Sequence, residues 1–287
     1  MKISVCIITY NQEEYIRECI DGVIEQKSSY EYEIIIGEDC STDNTLKICR
    51  EYANKFPTII TLIERDVNLG MNKNWEETIK ACKGEYIAIC EGDDYWTDTL
   101  KLQKQVDFLD THKDYNITVG QYKYYYEKSK TFKNSTELFD ITKSLSLKNY
   151  IAYNFGHTAT FLFRNNFSLP NWLNKVHALD QSVFILATGE GKIKYFEEYF
   201  SVYRINEGSI SNHIKPQIAR ENGVYWLKQI NKHTKGNYQL LINNRKLLNN
   251  LYYYFEKATN KYVKLSIKVV MYGLRWFGIN VLVKFVK

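Results

Sequence analysis

The chain has 287 residues, 45% hydrophobic and 25% charged, with 14 glycines and 3 prolines, which excludes a disordered or collagen-like protein. Its length fits one large domain or a domain with an appendage. Thirty-eight Lys and Arg against 33 Asp and Glu leave a net charge of +5, too small an excess to argue for nucleic acid as partner.

In chain order, residues 4–9 read as a strand apolar on both faces, as in a buried parallel sheet. Tyr15, Ile16, Cys19, Ile20 and Val23 then recur at helical spacing, and Asn11 with Glu14 three residues on predicts a capping-box start. Residues 33–38 read as a second strand, 42–55 as a helix led by Asp43, and 58–63 as a third strand. A helix over 72–82 carries Trp75 and Ile79 on one face, and 85–90 forms a fourth strand. This alternation predicts an α/β fold with an open, mostly parallel sheet and right-handed crossovers. Beyond Leu109 come antiparallel-looking pieces at 117–127 and 158–164, a helix at 179–187 and a strand at 193–203. From Pro216 the chain reads as helical and rich in Lys, Asn and Tyr.

The six cysteines fall in the first third of the chain without C-x-x-C spacing, which predicts free thiols in a reducing cytoplasm. The apolar run within residues 1–10 is too short for a signal peptide. The 24 tyrosines suit either a thick core or a site that stacks flat rings, and only their positions can separate the two.

In an open parallel sheet, ligands bind outside the carboxyl ends of the strands. Here the first strand ends in Thr9-Tyr10-Asn11, the second in Glu38-Asp39 and the fourth in Glu91-Gly92-Asp93-Asp94, so five carboxylates converge on one edge. That many anions are costly to pack unless a cation neutralises them, and oxygen-rich clusters suit Mg²⁺ or Mn²⁺ with open positions for substrate phosphates. Helix capping accounts for Asp43 but needs one carboxylate, not the three around Gly92. Tyr10, at the tip of the first strand, can stack a nucleobase or pack under a loop. The chain has neither G-x-G-x-x-G after the first strand nor G-x-x-x-x-G-K-[ST], which argues against dinucleotide oxidoreductases and P-loop NTPases.

Four ordered motifs together resemble the family-2 glycosyltransferases of the GT-A fold. They are Val5-Cys6-Ile7-Ile8-Thr9-Tyr10-Asn11, Glu38-Asp39-Cys40-Ser41-Thr42-Asp43, Asn68-Leu69-Gly70 with Asn74, and Glu91-Gly92-Asp93-Asp94. The resemblance implies that Thr9, Tyr10 and Asn11 border the base, with Glu38 and Asp39 on the uracil and ribose side. It puts Asn68, Gly70, Asn74 and Gly92 along the nucleotide-sugar, Glu91 near the ribose, and Asp93 on the metal with Asp94 in support. It makes Asp180 the base that deprotonates the acceptor hydroxyl, although an ordinary N-terminal helix carboxylate is the plain alternative. His157, before a strand, and Trp96, beside the acidic motif, are acceptor-side expectations. Tyr203-Arg204-Ile205-Asn206 resembles a segment near the diphosphate, so Arg204 is expected to meet phosphate charge. Asn206 stands where the family usually has His, and Leu179 where it usually has an acidic residue.

The resemblance implies an inverting enzyme using Mn²⁺ or Mg²⁺ and a nucleotide-sugar, UDP-linked, to glycosylate a glycan or lipid-linked acceptor. Its domains would be a catalytic GT-A domain over 1–215, with a nucleotide-binding half to 110 and an acceptor half after it, and a helical extension over 216–287. A non-catalytic nucleotide-sugar binder that keeps the same cradle is the alternative, favoured by Leu179 and Asn206. Residues 265–287 are apolar and basic, with Lys268, Arg275, Lys284 and Lys287 interrupting them and Trp276 and Phe277 on the apolar face. This predicts a helix lying on the inner face of an anionic membrane, or one packed on the catalytic domain or a second subunit of a homodimer.

Overall fold

A computed structural model describes residues 1–137, 140–176, 179–206, 216–259 and 261–277. The apolar run at the start folds as β1 (Ile3–Thr9) because both faces of the strand are covered: Ile3, Val5 and Ile7 enter one core, Cys6 and Ile8 the other. β1 lies between β2 (Tyr32–Glu38) and β4 (Tyr86–Glu91), parallel to both, and β3 (Ile60–Glu64) continues the parallel sheet beyond β2. The crossovers are α1 (Ile16–Ile24), α2 (Thr45–Lys55) and α3 (Met71–Ala81). Register brings Thr9 beside Glu38 and Ile8 beside Glu91, so the polar strand ends finish at one level.

The second half adds β5 (Tyr95–Trp96), α4 (Lys101–Thr111), β6 (Tyr115–Tyr126), β7 (Thr131–Asn134), β8 (Leu145–Ser146) and α5 (Leu147–Tyr153). A short 3₁₀ turn at Thr158–Thr160 leads into β9 (Leu162–Arg164), then come α6 (Leu179–Thr188) and β10 (Lys192–Ile205). The strands run in the order β3-β2-β1-β4-β9-β6-β10-β5, with β7 on β6 and β8 on β10. β9 is antiparallel to both β4 and β6, which joins the two halves in one sheet. β6 and β10, by contrast, pair in parallel over most of their length.

Two cores sandwich the sheet. One packs α1, α2 and α4 through residues such as Ile16, Ile20, Ile48 and Val106. The other gathers Trp75 and Ile79 of α3 with Tyr150, Val183 and Phe184 of α5 and α6. It also takes Trp226, Leu227 and Ile230 from α7 (Pro216–His233) and Leu241 and Ile242 from α8 (Gln239–Lys257). A last helix, α9 (Lys261–Phe277), packs on α8. All six cysteines are free thiols.

Two helix starts differ from the sequence expectation. Asn11 does not cap α1: its backbone is left-handed (φ 51°), and its amide oxygen accepts the Thr42 N–H at 2.8 Å. Its own N–H donates to Ser41 Oγ at 2.9 Å, so Asn11 ties the β1 loop to the β2 loop and α1 begins only at Ile16. With the Thr42 N–H taken this way, α2 also starts late, at Thr45, whose N–H donates to Asp43 Oδ1.

Candidate active site

A cleft of about 1080 Å³ opens at the carboxyl ends of β1, β2 and β4 and runs toward α6. Thr9, Tyr10, Asn11, Asp39, Asn68, Gly70, Asn74, Glu91, Asp93, Asp94, His157 and Asp180 all line it. Residues from seven separate stretches of sequence are thus brought together. Tyr10 keeps 45% of its surface exposed, which leaves a ring face available for stacking.

The first wall is set by Asp39. Its two carboxylate oxygens accept the Leu69 and Gly70 N–H groups at 2.8 and 2.9 Å, and Asn68 donates to its carbonyl at 3.0 Å. This fixes the 68–70 loop, where Gly70 has φ +80°, a conformation that L side chains rarely adopt. Asn74 is buried behind the loop and donates to the Gly37 carbonyl at 2.8 Å.

The acidic motif forms the floor. A Cβ on Gly92 would stand 2.4 Å from Gln12 Oε1 and 2.8 Å from Thr9 Oγ1, so only glycine lets the β4 turn approach the β1 loop. Burial pushes the Asp93 carboxyl up, while hydrogen bonds from Asn206 and Gln12 partly offset the rise. Asp94 is pushed well up by burial and then by its Asp93 and Glu91 neighbours, although its Oδ1 accepts the Arg204 N–H at 3.0 Å. Glu91 is also raised well above its usual range, by burial first and then by Asp93 and Asp180. Such crowding of buried carboxylates suits a hard divalent cation. Ligand atoms of Glu91, Asp94 and His157 lie within 4.8 Å of one another, and Asp93 lines the same cleft outside that group.

His157 is held more tightly than a ligand alone would be. Its ring stacks on Tyr203 at 4.2 Å between centroids, and Tyr203 packs on Tyr124 and Tyr122 packs on His157. Nδ1 accepts the Ala159 N–H at 3.4 Å, so the neutral ring carries its proton on Nε2, 3.5 Å from Asp94 Oδ2. Burial pushes the pKa of His157 down to about 3, which keeps the ring neutral.

Asp180, at the start of α6, closes the far end of the cleft. Burial raises its pKa, and backbone hydrogen bonds from Gln181 and its own amide, with the charge of Arg245, act against the rise. Arg245 reaches this place from α8, donating to Gln181 Oε1 at 3.0 Å and to the Ile151 carbonyl at 3.2 Å.

Three expectations require correction and one an adjustment. Trp96 is 4% exposed and faces the core on α1 and α4, with Lys101 Nζ 3.9 Å over its ring, so it is no wall of the cleft. The Arg204 guanidinium is engaged by Glu18 and Glu127 and lies outside the lining; it acts on the site through its backbone N–H at Asp94 and through its charge on Asp93. Glu38 is fully buried beneath the cleft, accepting the Ser41 N–H at 2.9 Å, because its strand position points it into the loop it supports. Gly92 acts through close packing and does not line the cleft. The rest of the Tyr203 segment, 207–211, lies outside the described residues, as does Ala178 before Asp180. Gln12, Thr158, the Tyr122–Tyr124–Tyr203 cluster and Arg245 were not singled out as site residues from sequence. Of these, Gln12, adjacent to Thr9-Tyr10-Asn11, and Tyr203, which opens the Tyr203-Arg204-Ile205-Asn206 segment, carried a signal there.

An open α/β sheet with a second antiparallel-joined half, and carboxylates gathered at the ends of its central strands, defines the GT-A class of transferase fold. The profile of Glycosyl transferase family 2 matches residues 4–167, and the chain belongs to that family. An uncharacterized protein of Mycobacterium tuberculosis is 37% identical over 202 residues, 70% of this chain and 58% of its own length. The chain therefore spans little more than half of that relative. A poly(ribitol-phosphate) beta-glucosyltransferase of Bacillus spizizenii is 43% identical over 97 residues, 33% of this chain and 15% of its own. In structure, Staphylococcus aureus TarS 1–349 in complex with UDP-GlcNAc superposes with a TM-score of 0.66 at 20% identity, covering 88% of this chain and 73% of TarS. The mannosyltransferase PcManGT from Pyrobaculum calidifontis, in complex with GDP-Man and Mn²⁺, gives 0.57 at 15% identity, covering 98% of this chain and 84% of its own.

Proposed function

We propose that this glycosyltransferase is inverting and metal-dependent, moving a sugar from a UDP-linked donor to a hydroxyl of a glycan or lipid-linked acceptor in surface polysaccharide or glycolipid assembly. The supporting observation is one cleft that holds a stackable ring (Tyr10), a buried acid floor (Glu91, Asp93, Asp94) and a separate buried carboxylate (Asp180). The solved complex of TarS with UDP-GlcNAc supports the choice of UDP, and the crowded carboxylates fit Mn²⁺ or Mg²⁺. We further propose that it works in the cytoplasm, a reading supported by six free thiols.

Tyr10 would stack the base, and Asp39 would hold the uracil or ribose while keeping the 68–70 loop closed beneath the sugar. Asp93 and Asp94 would hold the divalent ion, which when bound neutralises the departing diphosphate. Asp180 would take the acceptor hydroxyl proton as that oxygen forms its bond to the anomeric carbon and the bond to UDP breaks. Direct displacement of this kind inverts the anomeric centre. Its raised pKa suits a proton acceptor better than an ordinary carboxylate does.

The test pairs calorimetry with turnover. Asp180→Asn should bind UDP as the parent does and lose about 100-fold or more in transfer. Unchanged turnover would remove Asp180 as base. UDP binding by the parent without turnover on a broad donor and acceptor panel would mark the chain as a non-catalytic binder.

A further inference from the structure

Charge is segregated along this chain. Residues 216–287 hold 13 of the 38 Lys and Arg but 2 of the 33 Asp and Glu, a net +11, and residues 1–215 carry a net −6. The small overall excess conceals a basic appendage on an acidic domain. Such asymmetry points to an anionic surface as partner.

α9 concentrates that charge. It has no acidic residue, and Lys264 and Lys268 lie about 40° apart around the helix, Lys268 exposed and Lys264 half-buried with its Nζ 5.3 Å over the Phe255 ring of α8. Ile267 and Met271 are half-buried, four residues apart, and mark the side on which α9 packs on α8. Away from it, Tyr262, Val263, Leu265 and Val270 are 79, 48, 58 and 49% exposed. A basic stripe therefore borders a solvent-facing apolar face. α8 adds exposed Leu247 and Tyr254 to the same appendage.

Four occupants could cover such a face. One is a bilayer crossed by the helix, but no helix among the described residues is long and apolar enough to cross a membrane. Nucleic acid would use the lysines and leave the apolar residues in water. A second copy would oppose two surfaces of the same strong positive charge. A bilayer with anionic headgroups uses both features at once, acyl chains taking the apolar face and phosphates the stripe.

We propose that α9 seats this protein on the surface of a bilayer containing anionic lipid, lying in the plane of the interface. This inference requires nothing of the cleft, so its failure and that of the glycosyl-transfer reading are separable. The experiment is co-sedimentation of the full chain with phosphatidylcholine vesicles, with and without phosphatidylglycerol, at low and at high salt. Binding should require the anionic lipid and weaken with salt. Lys264→Gln with Lys268→Gln should lower the apparent affinity about 30-fold. Leu265→Asn with Val270→Asn should weaken binding as well, while circular dichroism and UDP binding stay as in the parent. Equal binding to neutral vesicles, or none to anionic ones, would overturn the proposal. So would a dimer seen by light scattering that Leu265→Asn dissociates, which would assign the face to a second copy.

Discussion

Glu91 is the residue on which the electrostatics of the cleft converge. Its carboxyl is raised by burial and then by Asp93 and Asp180, so the folded state favours its protonated form. A carboxyl with a raised folded pKa contributes stability that is full below its unfolded value and lost as pH rises through the folded one. Glu91→Gln removes that loss. In chelator, the variant should therefore melt higher than the parent at pH 8, by at least about 2 °C, and the gap should close toward pH 4. His157 acts with the opposite sign, since a pKa pushed down to about 3 costs stability only as pH falls from about 6.5 toward 3. It leaves the window above pH 6.5 to the carboxylates and to Lys101, and the comparison of variant with parent cancels both other groups. Added Mn²⁺ should raise the melting temperature of the parent and not that of Asp93→Asn. A gap independent of pH would show that Glu91 is satisfied as an anion.

At the scale of elements, α4 begins on a buried amine. Lys101 is fully buried, its Nζ has no hydrogen-bond partner, and it lies 3.9 Å over the Trp96 ring. Burial pushes its pKa down to about 7. For a lysine the sign is that stability is lost as pH falls from about 10.5 through about 7, because the unfolded chain binds the proton more readily. Lys101→Met should stabilise the fold by roughly 2 kcal/mol below pH 7 and by less at pH 10, measured by denaturant unfolding. A constant difference across that range would show that the amine finds its charge compensated. Sequence patterning captured β1, β2 and β4 because each is a continuous apolar run buried on both faces, and it captured α3 from Trp75 and Ile79. It placed an antiparallel piece at 158–164 but not its form or its partners, since β9 is only three residues long behind a 3₁₀ turn and pairs with two strands distant in sequence. Trp96 was misread for a related reason. Adjacency to the acidic motif gives no face, and pairing of β5 with β10 turns that ring into the core. Arg204 shows the same limit, since the sequence gives a guanidinium but not the Glu18 and Glu127 that engage it. Contacts such as His157 with Asp94, or Arg245 with Gln181, join residues more than sixty positions apart and leave no local trace.

At the scale of the molecule, the helical extension divides by packing where its charge does not. α7 and α8 complete the core over α6: Trp226 Nε1 donates to Ser182 Oγ at 2.8 Å, and Arg245 grips Gln181 and Ile151 beside Asp180. Trp226, Leu227, Ile230, Leu241 and Ile242 are all buried in the cluster that holds Val183 and Phe184. α9 gives that cluster no residue among those described. Two truncations should separate these roles. A chain ending at residue 215 exposes the apolar face of α6 and loses five buried side chains, each of the kind whose removal costs about 2–5 kcal/mol, more than a domain's whole stability. It should aggregate or show no cooperative melting transition. A chain ending at residue 259 keeps that core and should melt within about 2 °C of the parent, bind UDP equally well and lose its hold on anionic vesicles. Cooperative unfolding of the shorter chain at the parent's temperature would instead make the whole extension a separate unit, and the Arg245 contact to α6 would then be dispensable to the site.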